Sequence, residues 1–135
     1  MIKNYIYIDG WFLQKPLRGI GKYIQNILIY MPIPNENIEY ILLVPNQEID
    51  TSMFPDHLKI RFVPCKLIFS WYEIKIPIIL RQKNSFIFFP SGICGVINPI
   101  NSKKVFSTIH DISALLSFDL SPLSFNLRVN NPPIE

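Results

Sequence analysis

A chain of 135 residues that is 49% hydrophobic has the material for one domain with a buried core, which excludes an intrinsically disordered class. Charged residues make up only 17%, and the net charge of +3 comes from 13 basic and 10 acidic side chains. So mild a balance gives no reason to expect a nucleic-acid partner, while it tolerates an anionic membrane surface or a phosphate-bearing substrate.

Cys65 and Cys94 stand far apart, without a CxxC pair or a histidine-rich neighbourhood, and are expected as buried free thiols of a cytoplasmic protein. The opening residues Met1 to Asn4 turn directly into a strand pattern, without the continuous apolar core of a signal peptide. No segment reaches the roughly 20 apolar residues of a membrane span. The longest candidate, "LIFSWYEIKIPIIL", contains Glu73, Lys75 and Pro77 and reads as a domain helix or a surface-lying segment.

In chain order, "YIYID" (Tyr5 to Asp9) is aromatic and β-branched, ends at Gly10, and predicts a buried first strand. A loop with Pro16 and Arg18 leads to an amphipathic helix from Ile20, its apolar positions Ile20, Tyr23, Ile24, Ile27, Leu28 and Met31, closed by Pro32. "IEYILLVP" (Ile38 to Pro45) and "LKIRFVP" (Leu58 to Pro64) predict the second and third strands, each ended by a proline that cannot continue a ladder. Between them, the polar and proline-containing stretch from Gln47 to His57 does not support a helix, and His57 is expected at the surface.

Ser70 and Glu73 have the spacing of a capping box, which predicts a helix from Trp71 that kinks or restarts near Pro77. Trp71 and Tyr72 are read as core in preference to a lipid-facing pair, and Glu73 as a cap in preference to a general base. "SFIFFP" (Ser85 to Pro90) and "KVFSTIHD" (Lys104 to Asp111) predict the fourth and fifth strands, and the tail from Ser121 starts like another helix before "NNPPIE". Strands alternating with helices imply an α/β class: a parallel, Rossmann-like sheet with helices on both faces, joined by right-handed crossovers.

Two features carry chemistry. Gly19 and Gly21, with Arg18 and Lys22 beside them, lie between a strand and a helix, where free amides and the helix dipole favour an anion. The same glycines equally suit a tight entry into the helix. A nicotinamide cofactor is disfavoured, because Ile24 stands where the dinucleotide fingerprint needs a third glycine and the second strand ends in "LLVP" without an acidic ribose partner. A nucleoside triphosphate loop fits less well: Tyr23 follows Gly21-Lys22, and Pro16 holds the place of the leading glycine. No acidic DxD cluster calls for a metal.

The second feature is His110-Asp111, at the carboxyl end of the predicted fifth strand, where open α/β sheets bind ligands. His110 can donate to a sugar hydroxyl or exchange a proton near neutral pH, and Asp111 can orient the loop. Read plainly, Asp111 caps a turn and His110 is an ordinary, partly exposed residue. Asp9 ends the first strand on the same edge, either lining that cleft or bracing its loop.

In this order, "YIDGWFL", "RGIGKYIQNIL", "YILLVP", "WYEIKIPIIL", "FFPSG" and "VFSTIHDISALLSFDLSP" resemble the N-terminal half of retaining glycosyltransferases of family 4, over about Ile6 to Pro122. The resemblance implies half of a GT-B arrangement, two Rossmann-like domains facing each other across a cleft. It implies that Gly19 and Gly21 approach the phosphates of a nucleotide sugar or the hydroxyl acceptor, that His110 hydrogen-bonds the transferred sugar, and that Asp111 holds the loop. In such enzymes the N-terminal domain mainly binds the acceptor, and the C-terminal domain holds the nucleoside diphosphate sugar.

The chain is therefore expected to be the acceptor-side portion of a hexosyltransferase of polysaccharide or glycolipid synthesis, inactive alone because one wall of its cleft is missing. The chain is expected to be a fragment, a truncated gene product or one half of a split enzyme completed by a separate chain, and the resemblance implies that its sheet is itself incomplete at the C-terminal edge, since the family pattern continues into a further strand after "FDLSP". The expected setting is the cytoplasm, with peripheral contact at the inner face of the membrane. Two other readings stand beside this one: a non-catalytic α/β assembly module pairing through a sheet edge, and a different phosphate-binding α/β enzyme whose glycine loop takes a small nucleotide.

Overall fold

Five parallel strands form one sheet: β1 (Asn4–Asp9), β2 (Ile38–Val44), β3 (Leu58–Phe62), β4 (Ser85–Phe89) and β5 (Val105–Ser107), in the spatial order β3-β2-β1-β4-β5. This computed structural model describes residues 2–93, 95 and 105–108. The expected Rossmann-like α/β architecture is present, with every pairing parallel. Each strand coincides with one of the apolar runs, and the prolines at 45, 64 and 90 fall just outside the ladders, where their missing N–H does no harm.

Alternation divides the strand side chains between two faces. Ile8, Leu42 and Val44 meet Ile24 and Leu28 of helix α1 (Gly19–Ile29), together with Ile49 and Phe54 from the irregular connection between β2 and β3. As its composition indicated, that connection carries no helix. Tyr7, Ile41, Leu43, Ile87 and Phe89 project to the other face, against Trp71, Tyr72, Ile76 and Leu80. The first two crossovers thus run over one face while the return from β3 to β4 passes over the other, as right-handed connections require when the direction of winding reverses.

The return path is helical from Ile68 to Ile79: α2 (Ile68–Ser70), a π-helical segment (Trp71–Lys75) and α3 (Ile76–Ile79). The helix starts earlier than its expected first residue, Trp71. Ser70 is already helical, with φ −61° and ψ −35°, and no side-chain cap forms, so the capping box is not realised. Pro77 does not break the helix. Its ring crowds the preceding turn, and that turn is widened: the Ile76 amide donates to the Trp71 carbonyl, five residues back.

Trp71 and Tyr72 are core residues, as read from the sequence. Cys65, expected to be buried, is a half-buried free thiol whose Sγ donates to the Leu67 carbonyl at 3.3 Å, while Cys94 lies outside the described residues. His57, expected at the surface, is half-buried with Nε2 3.1 Å from the Met31 carbonyl oxygen. Among the described residues, no helix is long and apolar enough to cross a membrane.

Candidate functional site

The strand order reverses between β1 and β4, and a crevice at such a point opens at the carboxyl ends of the strands. Asp9 pairs with Leu43, Ile8 with Phe88, and Phe89 with Ser107, so β1, β2, β4 and β5 end on one rim. There the Phe89 carbonyl accepts from Gly92 at 3.2 Å and from Thr108 at 3.1 Å, which ties the β4 loop to the end of β5.

Asp9 closes the bottom of this rim. It is fully buried, and its carboxylate accepts from the Trp71 indole at 2.8 Å, the Tyr72 hydroxyl at 2.6 Å and the Trp11 amide at 3.0 Å. Burial pushes its pKa above the ordinary carboxylate range, outweighing the three donors that favour the ionised form. Of the two roles considered for Asp9, bracing its loop is the one seen: all its surface is used in holding the protein together. The braced element is the 3₁₀ turn Trp11–Leu13, whose Trp11 ring leans on Trp71 with centroids 5.6 Å apart.

Between that turn and the start of α1 lies a cleft of about 450 Å³. Trp11 and Phe12 form one wall, Arg18 and Ile20 the opposite lip, and Gly19 and Gly21 lie along it. Gln14 straps the aromatic wall in place, donating from Nε2 to the Trp11 carbonyl at 3.0 Å and accepting at Oε1 from Asn46 Nδ2 at 2.7 Å.

The two glycines do different things. A Cβ on Gly21 would collide with the Phe12 carbonyl oxygen and press on Leu17, so hydrogen is the only side chain that lets α1 approach the turn. Around Gly19 the space is open: a Cβ would meet nothing within 4 Å. The first intrahelical bond runs from the Lys22 amide to the Arg18 carbonyl at 2.8 Å, which leaves the amides of Gly19, Ile20 and Gly21 ahead of it, and the Arg18 side chain provides no cap. Gly21 is thus a packing glycine, and Gly19 is the one positioned at an accessible helix start.

Arg18 and Lys22 are both exposed at that start, so a cation and the helix dipole act in the same sense beside the cleft. The buried stripe of α1 is Gly21, Ile24 and Leu28, while Ile20 and Tyr23, read among the apolar positions of the helix, are 37% and 39% exposed. The exposure of Ile20 makes it part of the cleft lip. His110 and Asp111 lie outside the described residues; they follow Ser107, where β5 ends on the same rim as β1.

The sequence reading missed Trp11, Phe12 and Gln14 as wall residues. Their signal was present in the run "DGWFLQ", two aromatics directly after a strand end at the edge where such sheets bind ligands. No protein-family model, no curated protein and no solved structure matches this chain, so the geometry of the rim carries the functional reading by itself.

Proposed function

We propose that this chain is the acceptor-side portion of a nucleotide-sugar-dependent retaining glycosyltransferase, which transfers a hexose to a hydroxyl acceptor in polysaccharide or glycolipid synthesis. The observation that supports it most is the position of the cleft: it lies on the carboxyl rim of a parallel sheet, directly after β1, with Arg18 and the open helix start at Gly19 on its lining. That is the side of such a sheet on which a phosphate-bearing or hydroxyl-bearing ligand meets oriented donors.

In this reading the chain contributes position and electrostatics. The cleft orients the acceptor, Gly19 lets a phosphate reach the backbone, and Arg18 and Lys22 offset its charge. His110 hydrogen-bonds the transferred sugar and Asp111 holds the His110 loop. A second domain binds the donor and excludes water. The protein works in the cytoplasm, with peripheral contact at the inner face of the membrane.

Calorimetric titration with a panel of nucleotide sugars tests the reading. Weak binding that disappears in Gly19→Trp, a substitution at an open position, is expected. Gly21→Trp is the wrong probe, because the Phe12 carbonyl blocks it and the fold itself would be disturbed. Absence of binding to every nucleotide sugar would favour the second reading, a non-catalytic assembly module. That alternative draws on exposed apolar side chains around the outer strand β3, namely Ile60, Phe62, Leu67 and Phe69.

A further inference from the structure

β3 is the outermost strand on its side of the sheet, and among the described residues no strand pairs with its outer edge. The Val63 amide donates to the Val44 carbonyl at 2.9 Å, so by the alternation of a parallel ladder Lys59 and Arg61 turn their backbone groups to β2. Ile60 and Phe62 turn theirs outward. The side chains of Ile60 and Phe62, on the α1 face in register with Leu42 and Val44, are each 41% exposed. Lys59 and Arg61 stand exposed on the other face. Lys59 holds Glu39 at 2.9 Å but shares that carboxylate with Lys3, so together with Arg61 the group stays net positive.

A strand laid on this edge would meet outward N–H and C=O groups, apolar side chains on one face and cations on the other. A second copy of this chain fits badly there. Antiparallel pairing centred on Ile60 sets Lys59 of one copy against Arg61 of the other, and pairing centred on Arg61 sets the two guanidinium groups together; like charges directly opposite are destabilising. We propose that β3 takes an extended segment of a partner protein in which acidic and apolar residues alternate, with carboxylates beside Lys59 and Arg61 and apolar side chains beside Ile60 and Phe62. This pairing goes beyond the sugar-transfer reading and does not rest on it, since β2 separates β3 from β1 and its cleft. It supplies a partner for the assembly-module alternative.

The test is a titration of the full chain with a fluorescent peptide alternating glutamate and valine, followed by anisotropy and by amide hydrogen exchange. This peptide is expected to bind at least about tenfold more tightly than the same peptide with lysine for glutamate, through several cross-strand charge pairs. Bound peptide should slow exchange at Ile60 and Phe62 and leave Lys59 and Arg61, already turned to β2, as they were. Ile60→Pro takes away an outward N–H, which an edge strand can spare, and should abolish detectable binding. Arg61→Glu should weaken the acidic peptide by about fivefold or more. Lys83→Glu, at an exposed lysine just before β4, should leave binding unchanged.

The inference is overturned if neither peptide binds, if the two bind equally, if Lys83→Glu weakens binding as much as Arg61→Glu, or if the protected amides lie elsewhere than Ile60 and Phe62. Dimerisation in sedimentation that Ile60→Pro abolishes would overturn it in favour of a second copy. Binding to phosphatidylglycerol vesicles that Arg61→Glu abolishes, without peptide binding, would overturn it in favour of a membrane surface. All of these outcomes leave nucleotide-sugar binding at the carboxyl rim untouched.

Discussion

The Trp71 indole donates to the Asp9 carboxylate at 2.8 Å, joining the carboxyl end of β1 to the helix that crosses behind it. With Tyr72 and the Trp11 amide on the same carboxylate, one side chain holds the sheet, the crossover and the cleft wall in register. Asp9→Ala would leave three donors unpaired in the interior. A loss of about 3 kcal/mol or more is expected in urea unfolding, at the upper end for a buried charged acceptor.

Asp9 also sets a pH dependence. Its folded-state pKa lies above the unfolded value, so the folded state holds its proton more tightly. The stability linked to this group is therefore fully present below the ordinary carboxylate pKa and is lost as pH rises through the raised folded value. Asp50 and Glu39 have lowered pKa values, held down by hydrogen bonds from Ser52 and from Lys3 and Lys59 respectively, and act in the opposite sense. Subtracting the stability profile of Asp9→Asn from that of the unaltered chain isolates the Asp9 contribution. The difference should fall with rising pH across the acidic range; a flat difference would show an unshifted Asp9.

The two loop glycines separate packing from access. Gly21→Ala forces a methyl against the Phe12 carbonyl, and a loss of about 1–3 kcal/mol is expected from such overpacking. Gly19→Ala meets open space at the first position of α1, where thermal unfolding should show no loss or a gain of up to about 1 kcal/mol from helix propensity. Equal losses at both sites would contradict the different roles assigned to them.

Leu28 is fully buried between α1 and the sheet, in the cluster with Ile8 and Leu42. Leu28→Ala should cost about 2–5 kcal/mol by chemical denaturation. Ile27→Ala, only half-buried on the neighbouring stripe, should cost clearly less.

The first four strands were legible because each is a short apolar or alternating run ended by glycine or proline, a signal the ladder itself demands. The face of α1 was harder to read. Ile20, Tyr23 and Ile27 form one apolar stripe and Ile24 and Leu28 the next, and the residue completing the buried stripe is Gly21, which has no hydrophobic signal. Ser70 and Glu73 had the spacing of a cap, but the helix had already begun at Ile68, because burying Trp71 and Tyr72 on Asp9 fixes that turn from the end of β1. That partnership spans 62 residues of chain, and local pattern does not encode it. For the site, the glycine loop and its cations were visible in the sequence, whereas the aromatic wall depended on how the turn after β1 folds back on Gln14 and Asn46.

The most direct measurement is amide chemical-shift mapping on the isotopically labelled chain, titrated with uridine diphosphate glucose. A ligand site at the carboxyl rim predicts that the largest shifts fall on Gly19, Ile20, Gly21 and the Trp11 indole, with the His110 amide among those that move. Shifts concentrated at the opposite ends of the strands, around Asn4 and Asn84, or no shifts at all, would contradict it.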